Sequence, residues 1–143
     1  MKGSEGKFAY YMKGSDKRFI IPVYQRNYDW KLDNCKQLYN DLVKIIKNNR
    51  FSHFFGSLVS YNSGSDEEYL IIDGQQRLTT VTLLFLAMYN LINKGVLPYK
   101  KEDLKERIRD EFLVDRYKPG DTRIKLNKND QIAFVKLFSD PSE

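Results

Sequence analysis

Residues 78–91 read LTTVTLLFLAMYNL, which on a helix is apolar on nearly every side. Such a helix must be covered from more than one direction, so the rest of the chain has to be built around it. The pattern predicts a helix over 75–93 that stops near Gly95, with Pro98 just beyond. Residues 69–72, YLII, have strand character and feed the helix through Asp73-Gly74, a turn-forming dipeptide. A strand entering a helix through a glycine turn brings backbone N–H groups and the positive end of the helix dipole to one point, which suits an anion. The polar side chains of this stretch gather there: Gln75, Gln76, Arg77, Thr79 and Thr80.

Local stability explains part of that cluster. Asp73 suits an N-cap, and Gln76, three residues on, completes a pair resembling a capping box. Neither accounts for Arg77. A cation in the first turn opposes the dipole, at a cost of about 0.3–1 kcal/mol. Arg77 is therefore either paired with a carboxylate or set to meet an anionic ligand, and capping does not ask for Gln75, Thr79 and Thr80 as well. A ligand site and a purely structural turn both remain open.

The flanking segments are read from periodicity. Residues 1–18 are Gly-, Ser- and Lys-rich and predict a tail or short helix. Residues 19–24 are extended, and Pro22 marks an edge strand or a strand end, because it lacks a ladder donor. A helix follows over 31–49, with Leu32, Cys35, Leu38, Leu42, Ile45 and Asn49 on one stripe and Tyr39 and Ile46 beside it. Residues 54–61 and 69–72 form a β-hairpin around a loop at 62–67. A helix over 101–114 turns Leu104, Ile108 and Phe112 to one side. Residues 122–126 alternate like a short exposed strand, and a last helix starts at 127–130. Residues 139–143 are a tail. The apolar face of the last helix has nothing after it to cover it, so the chain reads as a piece of a longer protein or as one that pairs with a partner; the oligomeric state is left open.

With 143 residues, 41% of them hydrophobic and 14% aromatic, the chain supports one domain with a core. No apolar run is long enough to span a bilayer, and the N-terminus lacks a signal-peptide apolar region. A single cysteine, Cys35, excludes an internal disulfide and fits a reducing compartment, here the cytoplasm. On the buried stripe, Cys35 is expected to pack rather than react. The net charge of +5 permits a phosphate-bearing partner without requiring one. There is no P-loop. With one histidine, His53, and one cysteine, a zinc site or a Cys-His pair lacks partners, although Cys35 and His53 could in principle meet; a His-based nuclease centre is not expected, and no residue is assigned as a metal ligand.

A second constellation lies at 24–30. Gln25 and Arg26 stand among Tyr24, Tyr28 and Trp30, which suits phosphate contact with base stacking or, equally, an aromatic cluster with the Arg26 stem laid over a ring. Two Gln-Arg pairs, each at the end of an extended apolar segment, favour a shared site.

The strings FIIPVYQRNYDW (19–30), FGSLV (55–59) and IDGQQRLTT (72–80) resemble, in order and spacing, the N-terminal domain of GmrSD-type restriction proteins. The resemblance covers roughly residues 8–138. It implies an α+β fold similar to the ParB/sulfiredoxin superfamily: a small mixed sheet, a β-hairpin feeding a central buried helix, and flanking helices, over residues 19–138. It further implies nucleotide binding and NTP hydrolysis, with Mg²⁺ accompanying the nucleotide, in a regulatory domain that licenses cleavage of modified phage DNA by a C-terminal nuclease domain or subunit. By that likeness Gly74, Gln75, Arg77, Thr79 and Thr80 surround the phosphates, Gln25 and Arg26 reach in from the first motif, and any chemistry falls to Asp73, Gln76 and Arg77. The alternatives are a non-catalytic module that senses modified DNA through Tyr24, Tyr28 and Trp30, and a ParB-like nuclease with Asp73 at its centre. Whether the chain is itself an enzyme is left open.

Overall fold

The computed structural model describes residues 11–12, 17–22, 28–47, 58–62, 68–95, 103–115 and 122–139. The elements are β1 (Arg18–Ile20), α1 (Leu32–Lys47), β2 (Val59–Asn62), β3 (Glu68–Asp73), α2 (Gln75–Asn93), α3 (Leu104–Ile108) running into a π-helical turn (Arg109–Leu113), β4 (Ile124–Lys125) and α4 (Lys128–Ser139). The fold is α+β, with a small mixed sheet and a hairpin that feeds the central helix.

The sheet order is β2-β3-β1-β4. β2 and β3 pair antiparallel, as the hairpin requires, whereas β1 pairs parallel with both β3 and β4. β1 is thus an interior strand. Pro22 is compatible with that place because it comes after the last ladder donor: Phe19 N donates to Arg123 O (2.8 Å) and Ile21 N to Lys125 O (2.9 Å). Of the two sequence-based options for Pro22, the strand end holds and the edge does not.

α2 occupies the predicted span. Its C-terminus closes as expected on a glycine with positive φ: Gly95, at φ 77, donates its N–H to Ile92 O. Leu78, Leu86 and Ile92 are buried in one core with Phe19, Ile21, Ile71, Ile108, Leu113, Ile124 and Phe134. Coverage is not complete: Ala87 and Leu91 are exposed. α2 is enclosed at its start and one-sided towards its end.

The segment 103–115 departs from a plain helix. A π turn adds one residue, and Val114 N donates to Arg109 O. The wider turn brings Leu113, fully buried, to the core alongside Ile108, while Phe112 stacks on Phe85 of α2 with ring centroids 4.1 Å apart. A reading at 3.6 residues per turn finds Phe112 and overlooks Leu113.

Two expectations about exposure are overturned. The strand at 122–126 is not exposed: Thr122, Arg123 and Ile124 are all buried. Arg123, 1% exposed, donates from Nε to Lys17 O (3.0 Å) and from its two terminal nitrogens to Met12 O and Glu111 O. Its guanidinium also lies over the Phe19 ring. Strand alternation marks a charged residue as outward; here the planar fork finds three backbone carbonyls, which offset the loss of water on burial. Conversely, the α1 stripe is mostly not buried. Leu38 is; Cys35, Leu42 and Ile45 are half-buried and Leu32 is exposed, as are Tyr39 and Ile46 beside the stripe.

Tyr11 and Met12, within the stretch read as a tail or short helix, are helical and packed. Met12 belongs to the core, and Tyr11 donates to Ser60 Oγ at 2.7 Å beside Phe19 and Tyr69. No helix among the described residues is long and apolar enough to cross a membrane.

Candidate functional site

The carboxyl ends of β1, β3 and β4 point the same way, because the three strands are mutually parallel. In open sheets, that edge is where ligands are held. A cleft lies there, and each strand contributes to it. Ile21 and Tyr28 come from the chain leaving β1, Gln75, Gln76 and Thr79 from the start of α2 after β3, and Leu126, Asn127 and Asp130 from the chain leaving β4. The enclosed part is small, about 10 Å³, the room of one water. It suits a polar group reaching in from outside rather than a molecule swallowed whole.

The turn into α2 differs from the capping expectation. The N-cap is Gly74, not Asp73. Gly74 is buried at φ 89 and ψ 11, in the left-handed region where a Cβ is strained. Asp73 is the exposed last residue of β3, and its Oδ1 accepts the Gly74 N–H at 2.9 Å. It therefore braces the turn from outside the helix. Gln76 does not close a capping box either: its Oε1 accepts the backbone N–H of Asp29 at 3.1 Å.

The two motifs therefore touch, through Tyr28 and Asp29 on one side and Gln76 and Thr80 on the other. The Tyr28 hydroxyl lies 2.8 Å from Thr80 Oγ1 and 3.3 Å from Cys35 Sγ. Thr80 has one hydroxyl proton and gives it to Gln76 O (2.8 Å), so Tyr28 donates to Thr80 and the Cys35 thiol donates to Tyr28. Burial, above all, pushes the Tyr28 phenol up to about 12. Tyr28 is half-buried with its hydroxyl committed to this chain of bonds. Trp30 is also half-buried.

Thr79 likewise donates into the helix, to Gln75 O at 2.7 Å. As the helix stands, Thr79 and Thr80 offer lone pairs rather than protons to a visitor. Arg77 is half-buried and, with Asp73, is not among the cleft's lining residues. Tyr24, Gln25 and Arg26 of the first motif, and His53, lie outside the described residues.

Sequence reasoning overlooked the third wall. Asp130 Oδ2 accepts the Tyr28 N–H at 2.7 Å, and Gln131 ties the wall together by accepting from Leu126 N (2.9 Å) and donating to Thr122 Oγ1 (2.8 Å). The available signal was a polar Asn127-Lys128-Asn129-Asp130 run directly after a strand, which serves equally well as an ordinary helix start.

Compared with known families, the chain matches the model of the GmrSD restriction endonuclease N-terminal domain over residues 9–142. No curated protein matches it.

Proposed function

The chain belongs to the GmrSD restriction endonuclease N-terminal domain family, and from that premise we propose that it is a nucleotide-binding, NTP-hydrolysing regulatory domain of a restriction system that acts on modified DNA. The observation that carries this reading is the cleft at the carboxyl ends of three parallel strands, into which the start of α2 brings Gln75, Gln76 and Thr79 beside Tyr28 of the first motif. A 19-residue helix with no acidic residue in its first turn and an arginine there instead favours an anion at its N-terminus. The phosphates would approach the turn from outside, with Arg77 as their cation and Arg26 joining it from the first motif. Among the described residues no group of three or more His, Cys, Asp or Glu could hold a metal ion, and Mg²⁺ would arrive with the triphosphate. Cleavage of DNA would fall to a partner nuclease domain or subunit, in a cytoplasmic complex.

Nucleotide binding is favoured over base stacking on DNA because Tyr28 and Trp30 are half-buried rather than displayed. The test is calorimetric titration with ATP, GTP, CTP and UTP, each with Mg²⁺, against wild type and Arg77→Ala. Losing a charge-assisted phosphate contact should weaken binding by about tenfold or more. Equal heats for the two proteins, or none for either, would refute the proposal.

A further inference from the structure

Asp130 stands apart from both motifs, in the first turn of α4, yet it is built into the cleft. An aspartate at that position of a helix is ordinarily explained by its own helix dipole. Here the carboxylate reaches another part of the chain, accepting the backbone N–H of Tyr28 at 2.7 Å. The next backbone N–H, that of Asp29, goes to Gln76 Oε1 of α2 at 3.1 Å. Two consecutive peptide groups outside any strand or helix are thus held by side chains from two different helices. Without such acceptors those N–H groups would be left to water, and the segment would be held less firmly against the start of α2.

We propose that Asp130 is a positioning residue of the nucleotide site: it holds Tyr28 and Asp29 against α2, so that this end of the first motif is set before the ligand arrives. The inference rests on the nucleotide reading above and extends it by giving α4, which carries neither motif, a part in the site. Its physical basis is preorganisation: a segment already ordered in the free protein loses no further entropy on binding. The role needs an acceptor at this position, not a negative charge. A carboxylate near phosphate opposes binding, so Asp130→Asn, which keeps an acceptor oxygen and loses the charge, separates the two.

The experiment is calorimetric titration of wild type, Asp130→Ala and Asp130→Asn with MgATP and MgGTP, with hydrogen exchange of the Tyr28 amide followed by NMR in the nucleotide-free proteins. Asp130→Ala should bind about tenfold more weakly, the effect of one lost hydrogen bond to a charged group, and its Tyr28 amide should exchange faster. Asp130→Asn should keep wild-type affinity or exceed it, with the amide still protected. No binding by wild type would refute the nucleotide reading and this role with it. Binding by wild type that Asp130→Ala matches would overturn this proposal alone, as would an Asp130→Asn protein as weak as Asp130→Ala. Should Asp130→Ala fail to fold, Asp130→Asn decides: wild-type affinity with a protected Tyr28 amide supports the role, and loss of either overturns it.

Discussion

Gln76 Oε1 lies 3.1 Å from the backbone nitrogen of Asp29 and accepts its proton, joining the first turn of α2 to the segment that enters α1. A glutamine at this position could have capped its own helix. Its use elsewhere makes it a joint between the two motifs. Gln76 is 6% exposed but Asp29 is exposed, so truncation removes the joint and leaves the Asp29 N–H to water. Gln76→Ala should destabilise the protein by about 0.5–1.5 kcal/mol, the net worth of one hydrogen bond, measured by urea denaturation. An unchanged midpoint would show that water replaces the side chain.

Gly74 is the point at which a substitution reads backbone strain. At φ 89 an L-residue is in the left-handed region, which costs about 1–2 kcal/mol. Gly74→Ala should therefore lower the thermal midpoint by several degrees, at about 2–4 °C per kcal/mol for a chain of this size. Gly95→Ala is also at positive φ, but a Cβ there would have nothing within 4 Å, so it isolates the conformational part. A Gly74→Ala loss no larger than that of Gly95→Ala would argue that burial around Gly74 adds nothing.

Arg123 should be harder to replace than any hydrophobic core residue of its size. Its guanidinium satisfies the carbonyls of Met12, Lys17 and Glu111, which belong to three separate segments. Arg123→Lys keeps the charge but cannot reproduce the planar fork, so it should cost about 3 kcal/mol or more. Near wild-type stability for Arg123→Lys in a denaturant melt would contradict this account.

Alkaline pH offers a probe of the cleft. The Tyr28 phenol is raised to about 12 against an ordinary value of 10. Between those values the folded protein keeps a proton that the unfolded chain releases, so the stabilisation is whole below pH 10 and lost as pH climbs towards 12. A wild-type unfolding free energy that falls over this interval, with a shallower fall in Tyr28→Phe, is the expected result. Parallel curves for the two proteins would mean that Tyr28 is not the group responsible.

Much of the frame is legible in the sequence. The span of α2 follows from a polar first turn, an apolar body and Gly95, all within one stretch. The hairpin follows from two strand-like runs around a polar loop. What is not legible depends on partners far away in the chain. Phe19 pairs with Tyr69 on one side and Ile124 on the other, and no local pattern distinguishes such an interior strand from an edge. Arg123 reads as outward on alternation because the carbonyls that receive it belong to other segments. The wall from Asn127 and Asp130 is hidden for the same reason: capping chemistry explains those residues in isolation, and only the Tyr28 N–H shows what Asp130 is holding.

The parallel placement of β4 beside β1 has a consequence for the order of events. During synthesis, β1, the hairpin and α2 leave the ribosome first, and they include everything a motif search would mark. The ladder on the far side of Phe19 and Ile21, and the acceptor for Tyr28, are translated only with residues 122–130. Until then β1 has an unpaired edge open to pairing with another chain, and contacts of such long sequence separation close slowly. The cleft is therefore among the last parts of the domain to be completed, and a nascent chain stalled short of β4 would carry both motifs without the third wall.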